Sequence, residues 1–252
     1  MTDAMLLTVL GAGPAYTDRQ GASGACYLVT LRATNLLLDL GQGSFPRIFP
    51  NLRPEALDAV VVSHLHPAHF VDLVPLRHYL RYELQPRRRM RVLGPSDLGG
   101  RLDALHAAPG FAAEALDIGT LGERTHAVGG LVVEGRLVTH TDESYAIRVA
   151  PAGGGPGLVY SGDCGRADDI APLVRPGDTI LSEASFGPGP VPPGAIHLDA
   201  PAVGRLAMSS GAARALLTHL QMGHAPDETV AACRSVYAGP VEMVWPGSRI
   251  AL

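Results

Sequence analysis

The sequence predicts an α/β fold in which sheets are covered by helices. Three observations lead there. Short apolar runs bounded by glycine or polar turns alternate with segments whose apolar residues recur at helical spacing. Two of these runs end in similar polar clusters, VVVSHLH at 60–66 and ALLTHLQ at 215–221, so residues 1–252 read as one domain built from two similar halves. Hydrophobic residues make up 46% of the 252, charged residues 17%, and the formal net charge is −4, a composition that can bury a sizeable core and excludes disorder.

The elements follow in order. Strands are predicted at Met5–Leu10, Cys26–Leu31 and Asn35–Leu40, with Leu36–Asp39 delivering an acid to the end of a buried run. Asp58–Ser63 carries the next strand. From Phe70 to Leu84 the apolar residues keep helical spacing. A strand at Met90–Leu93 and a helix at Ser96–His106, with Ser96 as a candidate N-cap, complete the first half. Thr125–Val149 alternates like hairpin strands, with turns at Gly129–Gly130 and Glu134–Gly135, and Pro151–Gly157 is a flexible turn. The second half runs as strand Leu158–Ser161, short helix Ala167–Val174, strand Thr179–Glu183, Pro/Gly loop Gly187–Gly194, helix Ala200–Ser210, strand Ala215–Thr218, helix Pro226–Tyr237 and strand Val241–Val244.

Composition excludes several functions. All 20 basic residues are arginine, so Schiff-base catalysis and a Walker-type phosphate loop, both of which use lysine, are ruled out. The acidic balance argues against a stable nucleic-acid partner. The run Arg87, Arg88, Arg89 and Arg91 reads as a solvated strand entry. Cys26, Cys164 and Cys233 form no CxxC motif, which suits a reduced, cytoplasmic protein. Met1–Leu10 has no basic flank and does not read as a signal peptide, and no apolar run approaches the length of a membrane span.

Ten histidines remain, and their spacing is informative. In Ser63-His64-Leu65-His66-Pro67-Ala68-His69, His64 and His66 are two apart at the exit of a valine strand. An extended chain points i and i+2 the same way, so both imidazoles can chelate one ion, and His69 can reach a neighbouring one. His140, Asp163 and His219 each follow another apolar run. Together they predict a metal centre spread over strand ends. His78, His106 and His126 have no partners in motif spacing; His224, close after His219, could line the cleft but reads better as structural; and Cys164, beside Asp163 but pointing away from it, is read as structural.

The ordered set SHLHPAH, His140, YSGDC around Asp163 and LLTHL around His219 resembles the metallo-β-lactamase-fold hydrolases over nearly the whole chain. The resemblance implies a four-layer αββα sandwich with two divalent ions, zinc first and manganese or iron as alternatives. It assigns His64, His66 and His140 to one ion, His69 and His219 to the other, and Asp163 as a bridge. Ser182-Glu183-Ala184-Ser185-Phe186 and Ile196-His197-Leu198 resemble the ribonuclease Z and cyclic-nucleotide phosphodiesterase branch. There the histidine contacts phosphate or assists the leaving oxygen and the glutamate orients it, so His197 and Glu183 become catalytic candidates. Asn35–Gly41 resembles the same branch and makes Asp39 a support for a metal ligand.

One position departs from the family pattern His-x-His-x-Asp-His. Ala68 stands where the aspartate belongs, and a methyl group can neither ligate the second ion nor position water. The favoured reading is an engineered, inactivating change. A natural replacement with water or a neighbouring group standing in, and a binding-only relative, are the alternatives. The resemblance thus implies a phosphodiesterase of a small, cyclic nucleotide or related phosphodiester, impaired by Ala68. The alternatives are a lactonase or other carboxylic-ester hydrolase, and a non-catalytic metal-bound binding protein. A homodimer is expected from the family, and no membrane partner.

Overall fold

A computed structural model describes residues 4–252, so Met1–Asp3, where the leader reading begins, lie outside the described residues. Two seven-stranded mixed sheets form the centre. The first has the order β14-β1-β2-β3-β4-β5-β6 and the second β13-β12-β11-β10-β9-β8-β7. In the first, β1 (Leu6–Gly11), β2 (Cys26–Leu31) and β3 (Thr34–Leu38) pair antiparallel, while β4 (Ala59–Val61), β5 (Met90–Gly94) and β6 (Leu116–Thr120) continue parallel to β3. The second repeats that succession. Antiparallel β7 (Thr125–Val128), β8 (Leu131–Leu137), β9 (Tyr145–Pro151) and β10 (Leu158–Tyr160) lead into parallel β11 (Thr179–Glu183), β12 (Arg214–Thr218) and β13 (Val241–Met243). Strand β14 (Arg249–Ala251) returns to pair antiparallel with β1.

Three apolar clusters make this a four-layer αββα sandwich. One lies between the sheets and joins Leu7, Val9, Tyr27 and Leu38 to Val133, Ile147, Val149 and Tyr160. A second packs the outer face of the first sheet under α1 (Pro67–Phe70), α2 (Leu73–Tyr82) and α3 (Leu98–His106), through Phe70, Leu73, Leu76, Leu80, Leu98 and Leu102. A third packs the second sheet under α4 (Ala167–Ile170), α5 (Ala200–Ser210) and α6 (Pro226–Arg234). The central strands are buried on both faces, which explains why their sequences are continuous aliphatic runs rather than alternating ones. Each fully buried Leu or Val contributes about 1.5–3 kcal/mol over an exposed one.

The differences from the predicted elements are local and have identifiable causes. The helix expected over Phe70–Leu84 is two pieces, with a break at Val71–Asp72. Asp72 stops there because its carboxylate accepts from the Phe45 N–H at 2.8 Å. The turn expected at Glu134–Gly135 is instead the middle of β8. Gly135 is required by packing, since a β-carbon there would sit 2.5 Å from the Gly122 carbonyl oxygen. Ser96 does not cap α3; its N–H and hydroxyl both donate to Glu143, and Asp97 occupies the N-cap without a side-chain bond. β6 and β14 were not predicted. The arginine run is largely exposed as expected, yet Arg88, Arg89 and Arg91 each donate to a backbone carbonyl, at Leu57, Leu116 and Ala127.

Candidate metal centre

The predicted site residues come from both sheets and meet along one edge of the sandwich. After β4 the chain runs through Ser63–His66 into the single turn α1, which carries His69. Asp39 follows β3, His140 lies between β8 and β9, Asp163 follows β10, Glu183 ends β11, and His219 follows β12. His197 comes from the long loop before α5. Asp39 and His219 both adopt left-handed backbone, with φ of 57° each. Such conformations are uncommon away from glycine and concentrate at functional sites.

Two clusters result. In the first, His66 Nδ1 lies 3.0 Å from His64 Nε2 and 3.1 Å from His140 Nε2, and both Nε2 atoms lie 3.7 Å from Asp163 Oδ2. In the second, His69 Nε2 and His219 Nε2 each lie 3.4 Å from Asp163 Oδ1. One carboxylate therefore faces both groups. In each group the candidate ligand atoms lie within 4.8 Å of one another.

Partners at the far side of each ring fix its orientation. His69 Nδ1 donates to Asp39 at 2.7 Å and His140 Nδ1 donates to the Ile196 carbonyl at 3.0 Å, so each ring turns its Nε2 inward. His219 Nδ1 meets the Ser185 hydroxyl at 2.9 Å. Asp39 is buried and collects four donors: Ser63 N–H, Ser63 hydroxyl, His69 and the Tyr160 hydroxyl, all within 2.8 Å. Ser63, Tyr160 and Ser185 were not singled out from sequence, although each sits inside a motif that was.

The residues fit a pair of divalent ions. His69 Nε2, His219 Nε2 and Asp163 Oδ1 are buried side-chain atoms with no hydrogen-bond partner among the described residues. Buried polar atoms are otherwise satisfied almost everywhere, so three orphans aimed at one point imply a ligand that takes lone pairs. The electrostatics of the metal-free chain favour a neutral His64 and an ionised Asp163, whereas His69 holds a proton that it must lose to ligate. Burial opposes the charge on Asp163, yet His219 and His69 hold its carboxyl well below the usual carboxylate range. Burial, with His69 nearby, keeps His64 well below the ordinary histidine value. Burial opposes the charge on His69 too, but Asp163 and Asp39 outweigh it and raise that imidazole to about 10.

Ala68 lies in α1, buried. Its carbonyl accepts from the Ala25 N–H at 2.9 Å, and Gly41 packs so tightly on that oxygen that a β-carbon there would lie 1.7 Å away. The backbone at this position is therefore pinned. His197 stands beside both clusters, with ring centroids 4.8 Å from His140 and 5.8 Å from His219. Its Nδ1 donates to Glu183 Oε1 at 2.9 Å. Glu183 also accepts from the Cys164 N–H at 2.7 Å and from Ser185. The remaining histidines are elsewhere: His78 bonds the Val74 carbonyl, His106 stacks on Phe111, His126 bonds the Leu121 carbonyl, and His224 packs near Phe186.

The profile of the family described as "Beta-lactamase superfamily domain" matches residues 34–220. The chain belongs to the metallo-β-lactamase superfamily. Superfamily relatives cover it almost end to end. An uncharacterized protein of Mycobacterium leprae is 30% identical over 249 residues, spanning 96% of this chain and 86% of its own. The probable metallo-hydrolase YhfI of Bacillus subtilis is 26% identical over 262 residues, spanning 96% of this chain and all of its own. The YhfI crystal structure superposes with a TM-score of 0.87 at 23% identity, covering 98% of this chain and 100% of that one. A diphosphatase of the PhnP family superposes at 0.76 with 16% identity, covering 98% of each chain. Both superpositions share this superfamily's αββα fold.

Proposed function

We propose that this metallo-hydrolase is a phosphodiesterase acting on a small, cyclic nucleotide or a related phosphodiester, with turnover lowered by Ala68. The observation that carries the reading is the His197–Glu183 pair beside the two clusters. Burial lowers the His197 pKa, but the bond and charge of Glu183 raise it more, so the imidazole stays protonated to higher pH than usual. A protonated imidazole that can reach a leaving oxygen suits phosphate-ester cleavage, where the departing alkoxide needs a proton.

His64, His66, His140 and Asp163 would hold one divalent ion, zinc first, with manganese or iron as alternatives; His69, His219 and Asp163 would hold the other. When bound, such ions supply Lewis-acid charge and acidify water. The chain does the rest. Asp39 keeps His69 in the tautomer that ligates. Glu183, fixed by Cys164 and Ser185, holds the His197 proton toward the site. The three cysteines are free and buried, which suits the cytoplasm.

Restoring the carboxylate tests the proposal. Ala68→Asp should raise second-site metal content and turnover of a cyclic nucleotide by about tenfold or more, since even partners behind a ligand are worth about 10–100-fold. Adding His197→Gln to that variant should lower kcat about 100-fold or more with metal content unchanged. If Ala68→Asp matches the parent in metal and kinetics, or prefers a lactone, the reading is wrong.

A further inference from the structure

A cavity of about 370 Å³ opens beside His219, between the loop after β1 and the turn that follows β13. It lies within the usual size range for small-molecule sites, roughly 300–1,000 Å³. Its walls include Gly13, Arg19, Arg47, His219 and Trp245. Trp245 is the only tryptophan of the chain, and it remains 38% exposed in the wall. His219 Nε2 lies 3.4 Å from Asp163, so the cavity adjoins the second cluster directly.

The polar part of the cavity is as specific as the aromatic part. The Arg19 guanidinium lies over the Trp245 ring, 5.9 Å from its centroid. It is held there by the Leu220 carbonyl at 2.8 Å and the His224 carbonyl at 3.1 Å. Arg47 donates to the Gly21 carbonyl. The Arg19 terminal nitrogens also donate to Thr17 and Gln221, so Arg19 is a fixed support for the indole, and Arg47 brings the second positive charge to the wall.

An exposed, pre-organised indole beside two guanidiniums selects a flat ring whose edge accepts hydrogen bonds. An aliphatic ester tail offers neither property; a nucleobase offers both, because ring nitrogens and carbonyl oxygens accept from arginine. We propose that this cavity is the nucleobase subsite, with the base against Trp245, which Arg19 holds in place, and its edge read by Arg47 while the phosphoester faces the clusters. The inference rests on the phosphodiesterase reading for the placement of the phosphate, but base binding can be measured without turnover.

The single tryptophan gives that measurement. Fluorescence of the full chain is followed while 3′,5′-cyclic AMP is added, and in parallel methyl riboside 3′,5′-cyclic phosphate, which keeps the phosphate and lacks the base. Saturable quenching by the nucleotide, absent or at least about tenfold weaker for the abasic compound, is expected. Equal responses to both, or none to either, would overturn the subsite. Kinetics on Ala68→Asp give the second arm: Trp245→Leu in that background should lower the nucleotide-to-abasic ratio of kcat/KM about tenfold, and an unchanged ratio would equally overturn it. Base-dependent quenching without turnover would leave the subsite standing and refute the phosphodiesterase reading instead.

Discussion

Asp39 shows how much a single residue carries. Sequence reading placed an acid at a strand end, and the motif resemblance made it a support for a metal ligand. The structure adds why aspartate is needed. Four donors converge on its two oxygens, and its left-handed backbone turns it toward them. Asparagine keeps the shape but presents an N–H₂ to donors that already need acceptors. Asp39→Asn should cost about 2–4 kcal/mol in denaturant unfolding. It should also weaken metal binding about 10–100-fold, because His69 loses the partner that sets its tautomer. Retained metal affinity would mean that Asp39 only stabilises the fold. Ala68 is the opposite case. The motif makes its identity conspicuous, whereas the pinning of its backbone by Ala25 and Gly41 comes from segments far away in sequence.

Among the elements, the strands with long aliphatic runs were legible because burial on both faces leaves a strong signal. β6, with the sequence Leu-Asp-Ile-Gly-Thr, was not. It is an edge strand with one buried residue, so its composition resembles a loop. β14 is three residues long and exists because β1 offers it an edge. The second sheet is held by a feature that no local pattern signals. Arg148 of β9 is buried and donates to Asp178 at 2.7 and 2.9 Å, and Asp178 also accepts from the Gly157 and Arg175 N–H groups. Asp178→Ala removes the two-point partner of a buried guanidinium and leaves it only Glu134 and the Gly155 carbonyl, each more than 3 Å away, which costs about 3 kcal/mol and should lower Tm by about 10 °C. The pH dependence has a defined sign. Burial opposes the Asp178 charge, but Arg148 and the N–H donors outweigh it and lower its pKa in the folded chain. The stabilisation is therefore present above the ordinary aspartate value of 3.8 and disappears as pH falls through the lowered value. In acid titration the wild-type advantage over Asp178→Ala should shrink below that point; a constant gap would mean the carboxylate is not the source.

At the scale of the molecule, the site is where the two sheets are tied together. Tyr160 of the second sheet donates to Asp39 of the first, Tyr27 shares a 2.7 Å bond with Thr218, and the His219 N–H reaches the Ala12 carbonyl at 3.1 Å. Ions held by His64 and His66 on one side and His140 and His219 on the other would add cross-links that only the folded chain offers. With metal at about 1,000 times its Kd the gain is about 4 kcal/mol, so a chelator should lower Tm by roughly 10 °C, and re-addition should restore it. Because Asp163 and Asp39 raise His69 to about 10 in the metal-free chain, a proton must leave when metal binds there. Affinity should rise with pH up to that value, with proton release measurable in weakly buffered solution. A Tm indifferent to chelator would rule out a structural contribution from metal.

The sequence by itself determined the α/β class, most of the strands and, with the family resemblance, which histidines and acids come together, because a group able to hold metal needs particular side chains at particular strand ends. Only the tertiary structure decided how those residues are used. That His69 leans on Asp39, that one carboxylate faces two clusters, and that Trp245, Arg19 and His219 border a single cavity are all contacts between distant segments. Hydrogen-bond geometry and cavity shape depend on how the sheets pack, and packing across some two hundred residues leaves no periodic trace in the sequence.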